Sequence, residues 1–208
     1  MPHTTTTQTN PLKGHVVTID GPSASGKGTL AKRLSRIYRM KYLDTGTLYR
    51  TVVLAALRQG VSLTDTAAVA EVGRTMNFDF KHIGNNHFST FLDGEDVEAA
   101  IRTPEVDKGI PLTAPEPAIR QALFDRQHQF ALTWKDVYGV LLDGRDCGAR
   151  IFPEASVKFF IVGDVAERAR RRIVQLQEAG LTVNATDIEA DMRKRDQRDA
   201  PNTLQTPD

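Results

Sequence analysis

The run Gly21-Pro22-Ser23-Ala24-Ser25-Gly26-Lys27-Gly28-Thr29 has the spacing of a loop that wraps a polyphosphate. Its glycines let the backbone curl close enough to aim N–H groups at phosphate oxygens, an approach that a Cβ would obstruct. Lys27 adds a flexible positive charge, and a helix opening near Gly28 would add the partial positive charge of its N-terminus. The run fits the first seven positions of G-x-x-x-x-G-K-[ST], after which Gly28 stands where a Ser or Thr would ligate Mg²⁺. Thr29, one residue later, is therefore expected on phosphate, and no side chain is expected as a direct metal ligand.

The other candidates are cations and one acid. Arg50 falls in what reads as the first turn of a helix, where the macrodipole disfavours a cation by roughly 0.3 to 1 kcal/mol and a bound anion would reverse that cost. Arg145 and Asp146 follow the apolar run Val140 to Asp143, which puts them at the carboxyl edge of a sheet, the usual ligand crevice of open α/β folds. A local Arg–Asp pair orienting the turn is the plainer reading of those two residues. Arg195 and Arg198 lie on a charged helix where Asp191, Arg195 and Asp199 could also form exposed i, i+4 ion pairs worth about 0.3 to 0.5 kcal/mol each.

The elements that must position these groups are legible from pattern. Val16 to Asp20 reads as a strand, the glycine loop follows, and Thr29 to Met40 reads as a helix with Leu30, Leu34 and Ile37 on one face. Tyr42-Leu43 is a second strand, leading into Asp44-Thr45-Gly46 and a helix with Leu48, Val52 and Leu57 that stops at Gly60. Between Phe78 and Val97, short apolar stretches split by Gly84-Asn85-Asn86 suit antiparallel hairpins inserted on a parallel core. A helix near Ala118 to Trp134 precedes two buried-strand candidates, Val140 to Asp143 and Val157 to Val162. A helix from Asp164 to Glu178 is expected to bury Val165, Ala169, Ile173 and Leu176, with Arg168, Arg171 and Arg172 projecting beside that stripe. Thr186 and Glu189 have capping-box spacing and open the last helix. Near-continuous apolar strands alternating with helices predict an α/β fold, a parallel sheet with flanking helices.

Composition narrows the class. The 208 residues are 40% apolar and 25% charged with a formal net charge of +1, which suits one soluble domain and lacks the global basic field of a non-specific nucleic-acid binder. The one cysteine, Cys147, permits neither an internal disulfide nor a multi-cysteine zinc site. The polar start MPHTTTTQTN lacks the charged head and apolar core of a signal peptide. The expectations are a cytoplasmic protein, a disordered tail over residues 1–14, no membrane and no nucleic acid as partner, and a monomer.

With the loop placed, YLDTGTLYR (42–50), DGEDV and IRTPEV (93–106), LLDGRDCG (141–148) and MRKRDQRD (192–199) together make the chain resemble the bacterial cytidylate kinases, from about residue 16 to 199. The resemblance implies a P-loop kinase that moves the γ-phosphoryl group of ATP onto CMP or dCMP, with Mg²⁺ held mainly through ATP phosphates and water. It implies one kinase domain over 15–208, with a β-hairpin-rich NMP-binding insertion at about 74–110 and a helical lid at about 179–200. It makes Arg50 a contact to the acceptor α-phosphate, places the Thr45 hydroxyl near the nucleotide, and has Arg145 bridge donor and acceptor phosphates. Asp146 and Arg120 fall on the cytosine side, and Lys27, Arg145, Arg195 and Arg198 form the cationic catalytic set, with Arg195 also on the substrate. Arg102 is divided evenly between substrate and solvent. A serine that accompanies the pyrimidine-fixing arginine in the family is Pro111 here, which offers neither hydroxyl nor N–H.

The competing readings are another small-molecule P-loop kinase of the UMP/CMP, adenylate or shikimate type, and a non-catalytic nucleic-acid-binding protein using the arginines of 168–198. Against the latter, eight Lys/Arg between Asp164 and Asp199 face eight Asp/Glu, which leaves no basic patch. The guanine motif N-K-x-D of GTPases is absent. Family members usually continue past the lid into a final strand and helix; residues 200–208 contain neither, so a less stable domain with weakened ATP binding is expected.

Overall fold

The computed structural model describes residues 10–84, 87–178, 180 and 184–202. Its centre is a parallel sheet in the order β2-β6-β1-β7, from β1 (Val16–Asp20), β2 (Lys41–Asp44), β6 (Val140–Gly144) and β7 (Val157–Phe160). The register pairs Asp20 with Gly144 and Asp44 with Asp143, so β1, β2 and β6 end level, with three acids at one edge. β1 and β6 are buried along their whole length because each lies between two strands.

β7 departs from the expected buried strand over 157–162. It stops at Phe160 and pairs only with β1, and Val157 and Phe159 are exposed, because among the described residues no further strand lies beyond it.

α1 (Lys27–Ile37) starts two residues earlier than the periodicity predicts, on the lysine itself. α2 (Thr45–Arg58) is capped by Asp44, whose side chain accepts from Gly46 N. Arg50 is thus the sixth helical residue, past the first turn in which the macrodipole acts most strongly. α3 (Thr66–Thr75) and α4 (Pro104–Thr113) have no counterpart in the sequence expectations. In α4 the helix carries both Gly109 and Pro111, poor formers by propensity, and tertiary packing overrides that. A Cβ on Gly109 would stand 2.5 Å from Val53 Cγ1, so glycine is what permits α4 to lie against α2. α5 (Pro117–Tyr138) closes one side of the core with Ile119, Ala122, Leu123 and Ala131.

The insertion is a second, antiparallel sheet, β3 (Phe78–Gly84), β4 (His87–Leu92) and β5 (Glu95–Asp96). The Asn85-Asn86 turn lies outside the described residues. Tyr42 fastens this sheet to the central one: its ring meets Phe80 and Phe88 edge-on at 5.5 and 4.8 Å.

α6 (Val165–Glu178) and α7 (Ala185–Asp199) pack against each other. The cap of α7 is Asn184, accepting from Thr186 N, so the capping box predicted at Thr186 lies two residues too far in. Residues 10–14, expected as tail, form a turn on the end of α5: Gly14 N donates to Lys135 O, and Leu12 packs on the core. The first nine residues, and 179 and 181–183 of the predicted lid, lie outside the described residues. Among those described, no helix is long and apolar enough to cross a membrane.

Candidate active site

The loop after β1 takes the conformation its composition demands. Gly21 has φ +153°, and a Cβ there would come within 2.4 Å of Ile161 O; Gly26 has φ +92°, the left-handed region that favours glycine. Ala24 also sits at φ 57°, a conformation rare for a residue with a Cβ and stored here within the loop. Lys27 begins α1, and its Nζ reaches to 4.0 Å from Asp143 Oδ1 at the end of β6. Gly28 passes so close to Asp143 that an added Cβ would lie 3.3 Å from its carboxylate.

Asp143 is the residue that sequence reasoning missed, although the signal was present: an acid closing a buried strand next to the strand that feeds the loop. Burial, and after it the charge of Asp44, raise its pKa to about 7, against the lowering effects of Lys27 and of the Tyr42 hydroxyl that donates to Oδ2 at 3.0 Å. Asp143 Oδ1 and the Ser25 hydroxyl are both buried without a hydrogen-bond partner. A divalent cation carried on donor phosphates fits that donor set: a hard carboxylate oxygen beside the loop that would hold the phosphates.

The next turn is held from below. Asp20, fully buried, accepts from Cys147 N at 2.9 Å and Gly148 N at 2.7 Å; desolvation raises its pKa, and those two N–H groups act against the rise. This fixes the start of the wide turn at residues 147–151 and so aims Arg145 and Asp146. The two do not pair with each other. Arg145 Nη1 donates to Asp199 Oδ2 of α7 at 2.5 Å and lies 3.9 Å from Asp196, whereas Asp146 pairs with Arg120 of α5. Arg120 also donates to Ala114 O, at the end of α4.

The fold engages several of the remaining candidates. The Thr45 hydroxyl is turned inward and donates to Asp143 O at 2.9 Å, so its proton is used by the fold. Arg102 is pinned by Glu98. Arg195 and Arg198 come to 3.9 and 3.5 Å from Asp199. Desolvation and then the Arg145 charge push the Arg195 pKa down, although nearly half of its side chain meets solvent. Pro111 is inside α4.

Arg168, expected at the side of the α6 stripe, is buried. It donates to Gly163 O at 2.9 Å and to Ser23 O of the loop at 3.3 Å, and pairs with Asp196 at 2.5 Å, so it ties the phosphate loop to α7. Its neighbour one turn on, Arg172, is half-buried; its pKa is pushed down first by burial and then by the charge of Arg50.

Loop, lysine and paired acid meet at one sheet edge, with Arg145 on the turn that follows. Residues 17–206 match the model of a single family, described as cytidylate kinase. The chain belongs to that family. It is 45% identical over 186 residues to the cytidylate kinase of Bordetella pertussis, covering 88% of this chain and 78% of that one. It is 41% identical to the cytidylate kinase of Azotobacter vinelandii (89% and 80% covered) and 40% identical to that of Escherichia coli (88% and 79%).

Proposed function

We propose that the chain transfers the γ-phosphoryl group of ATP to CMP or dCMP, giving ADP and CDP or dCDP. The observation that carries this reading is the division of one turn between two sides: Arg145 and Asp146 are adjacent, yet the first faces the loop and α7 while the second is joined to Arg120. The donor phosphates fit between Gly21–Thr29 and Arg145, where a cavity is lined by Gly21, Pro22, Arg145, Phe160, Val162 and Asp199. The acceptor fits on the side of Arg50, Arg120 and Asp146.

The nucleophile is a phosphate oxygen of the acceptor, largely dianionic at neutral pH because its second pKa is about 6. No protein base is needed. Rate then comes from in-line placement and from cations that meet the charge on the moving phosphoryl group, the task of Lys27, Arg145, Arg195 and Arg198. Mg²⁺, when bound, would supply further neutralisation of the donor oxygens, and Asp143 is the side chain that would hold it. Helix α7 acts as the lid: tied to the loop through Arg168 and to the turn through Arg145, it covers the phosphates and excludes water that would hydrolyse ATP.

A coupled assay with ATP and each nucleoside monophosphate tests the reading. CMP and dCMP are expected as the best acceptors; faster turnover with AMP or with shikimate would overturn it.

A further inference from the structure

Arg50 is not free to meet an acceptor phosphate. Its Nη1 donates to Ile101 O at 2.9 Å, and its Nη2 lies 2.7 Å from Asp107 Oδ1, an acid in the first turn of α4. Arg102, the arginine closest to Asp107 along the chain, is already paired with Glu98. Asp107 is therefore the carboxylate that neutralises Arg50 among the described residues, and it occupies the place that an acceptor phosphate would take.

The Asp107 side chain is 52% exposed, whereas that of Arg50 is 24% exposed. Such an acid can leave the pair by rotating into water, where its charge is well solvated and still lies near the positive end of α4. Arg50 cannot leave so easily, because the Ile101 carbonyl holds it in place. The exchange is asymmetric: the acid moves and the cation stays.

We propose that Asp107 is a positioning residue for Arg50 and an internal competitor of the acceptor phosphate: it holds the guanidinium in the empty site and yields it when the phosphate arrives. This rests on the acceptor role of Arg50 given above. The consequence is a gain of affinity when the charge is removed. Breaking an ion pair of this exposure costs an incoming ligand about a two- to fivefold loss of affinity.

Asp107→Asn is therefore expected to lower KM for CMP about two- to fivefold, with a smaller change in kcat, and to strengthen competitive inhibition by inorganic phosphate by the same factor. Asp107→Glu, which restores a carboxylate, should return both quantities toward the parent. A residue that served only the packing of α4 would instead raise KM and lower the melting temperature on substitution. An unchanged or raised KM in the asparagine variant, or no change in phosphate inhibition, overturns the proposal. Arg50→Ala separates the two levels. If it raises KM for CMP while Asp107→Asn does nothing, only the competitor role falls; if it leaves KM unchanged, the acceptor assignment of Arg50 falls and takes the proposal with it.

Discussion

Replacing Asp143 by asparagine should make the nucleotide-free protein more stable and less active at once. In the unfolded chain this acid titrates near its ordinary value of 3.8, whereas in the fold burial and the Asp44 charge raise it to about 7. Between those values the folded protein holds a proton that the unfolded chain has released, so stability is greatest on the acid side, declines as pH rises through the window, and levels off above about 7. The displacement corresponds to a ceiling of about 4 kcal/mol at pH 8. Because asparagine keeps an oxygen for the Tyr42 hydroxyl while removing the charge, and because Lys27 loses its nearby anion, a gain of about 1 to 3 kcal/mol is expected. For a chain of this size that is a rise in melting temperature of roughly 3 to 8 °C. Thermal melts of Asp143→Asn and parent, without nucleotide or divalent cation, should differ most at pH 8, by less than half as much at pH 5, and converge only below about pH 4, where the acid is protonated in the folded and unfolded chains alike. Turnover of CMP with Mg²⁺ and ATP should fall at least about tenfold at pH 8, since the carboxylate that faces Lys27 and the donor phosphates is gone. A lower melting point in the variant at pH 8, or the same offset at pH 5 and pH 8, would refute the reasoning.

Lys27→Ala should leave the melting temperature near that of the parent and cut turnover by several orders of magnitude, as a coupled assay would read; near-normal activity would remove the loop from the mechanism. Arg120→Ala and Asp146→Ala should each raise KM for CMP more than KM for ATP, and because the two groups are paired their effects should be less than additive in the double variant. Asp20→Ala should cost about 2 kcal/mol in denaturant unfolding, since it strands the buried N–H groups of Cys147 and Gly148, with the release of a desolvated acid offsetting part of the loss.

Much of the site was legible in the sequence because it is local. Strand, glycine-rich turn, lysine and helix follow one another within fifteen residues, so Val16 to Leu30 specifies the phosphate loop without reference to the rest of the chain. The placement of Arg145 and Asp146 past a buried strand was equally readable, since a strand that ends in Asp-Gly must deliver the next residues to the sheet edge. Helix α4 was not, because Gly109 and Pro111 lower its propensity, while the close approach of Gly109 to α2 that favours it is a tertiary contact propensity does not carry.

What only the tertiary structure decided is which acid each arginine meets. Arg50 with Asp107, Arg120 with Asp146, Arg145 with Asp199 and Arg168 with Asp196 are pairs separated in sequence by a helix or more, and each sequence neighbourhood offers other acids of the same type. The burial of Asp143 is likewise a property of strand order: with β6 between β1 and β2, and Tyr42 laid over its end, the carboxylate is enclosed and its pKa rises. Residue type fixes what a side chain can do within its own turn of chain. The dielectric around it and the charge opposite it are set by elements that arrive from elsewhere, and the chemistry of this site depends on both.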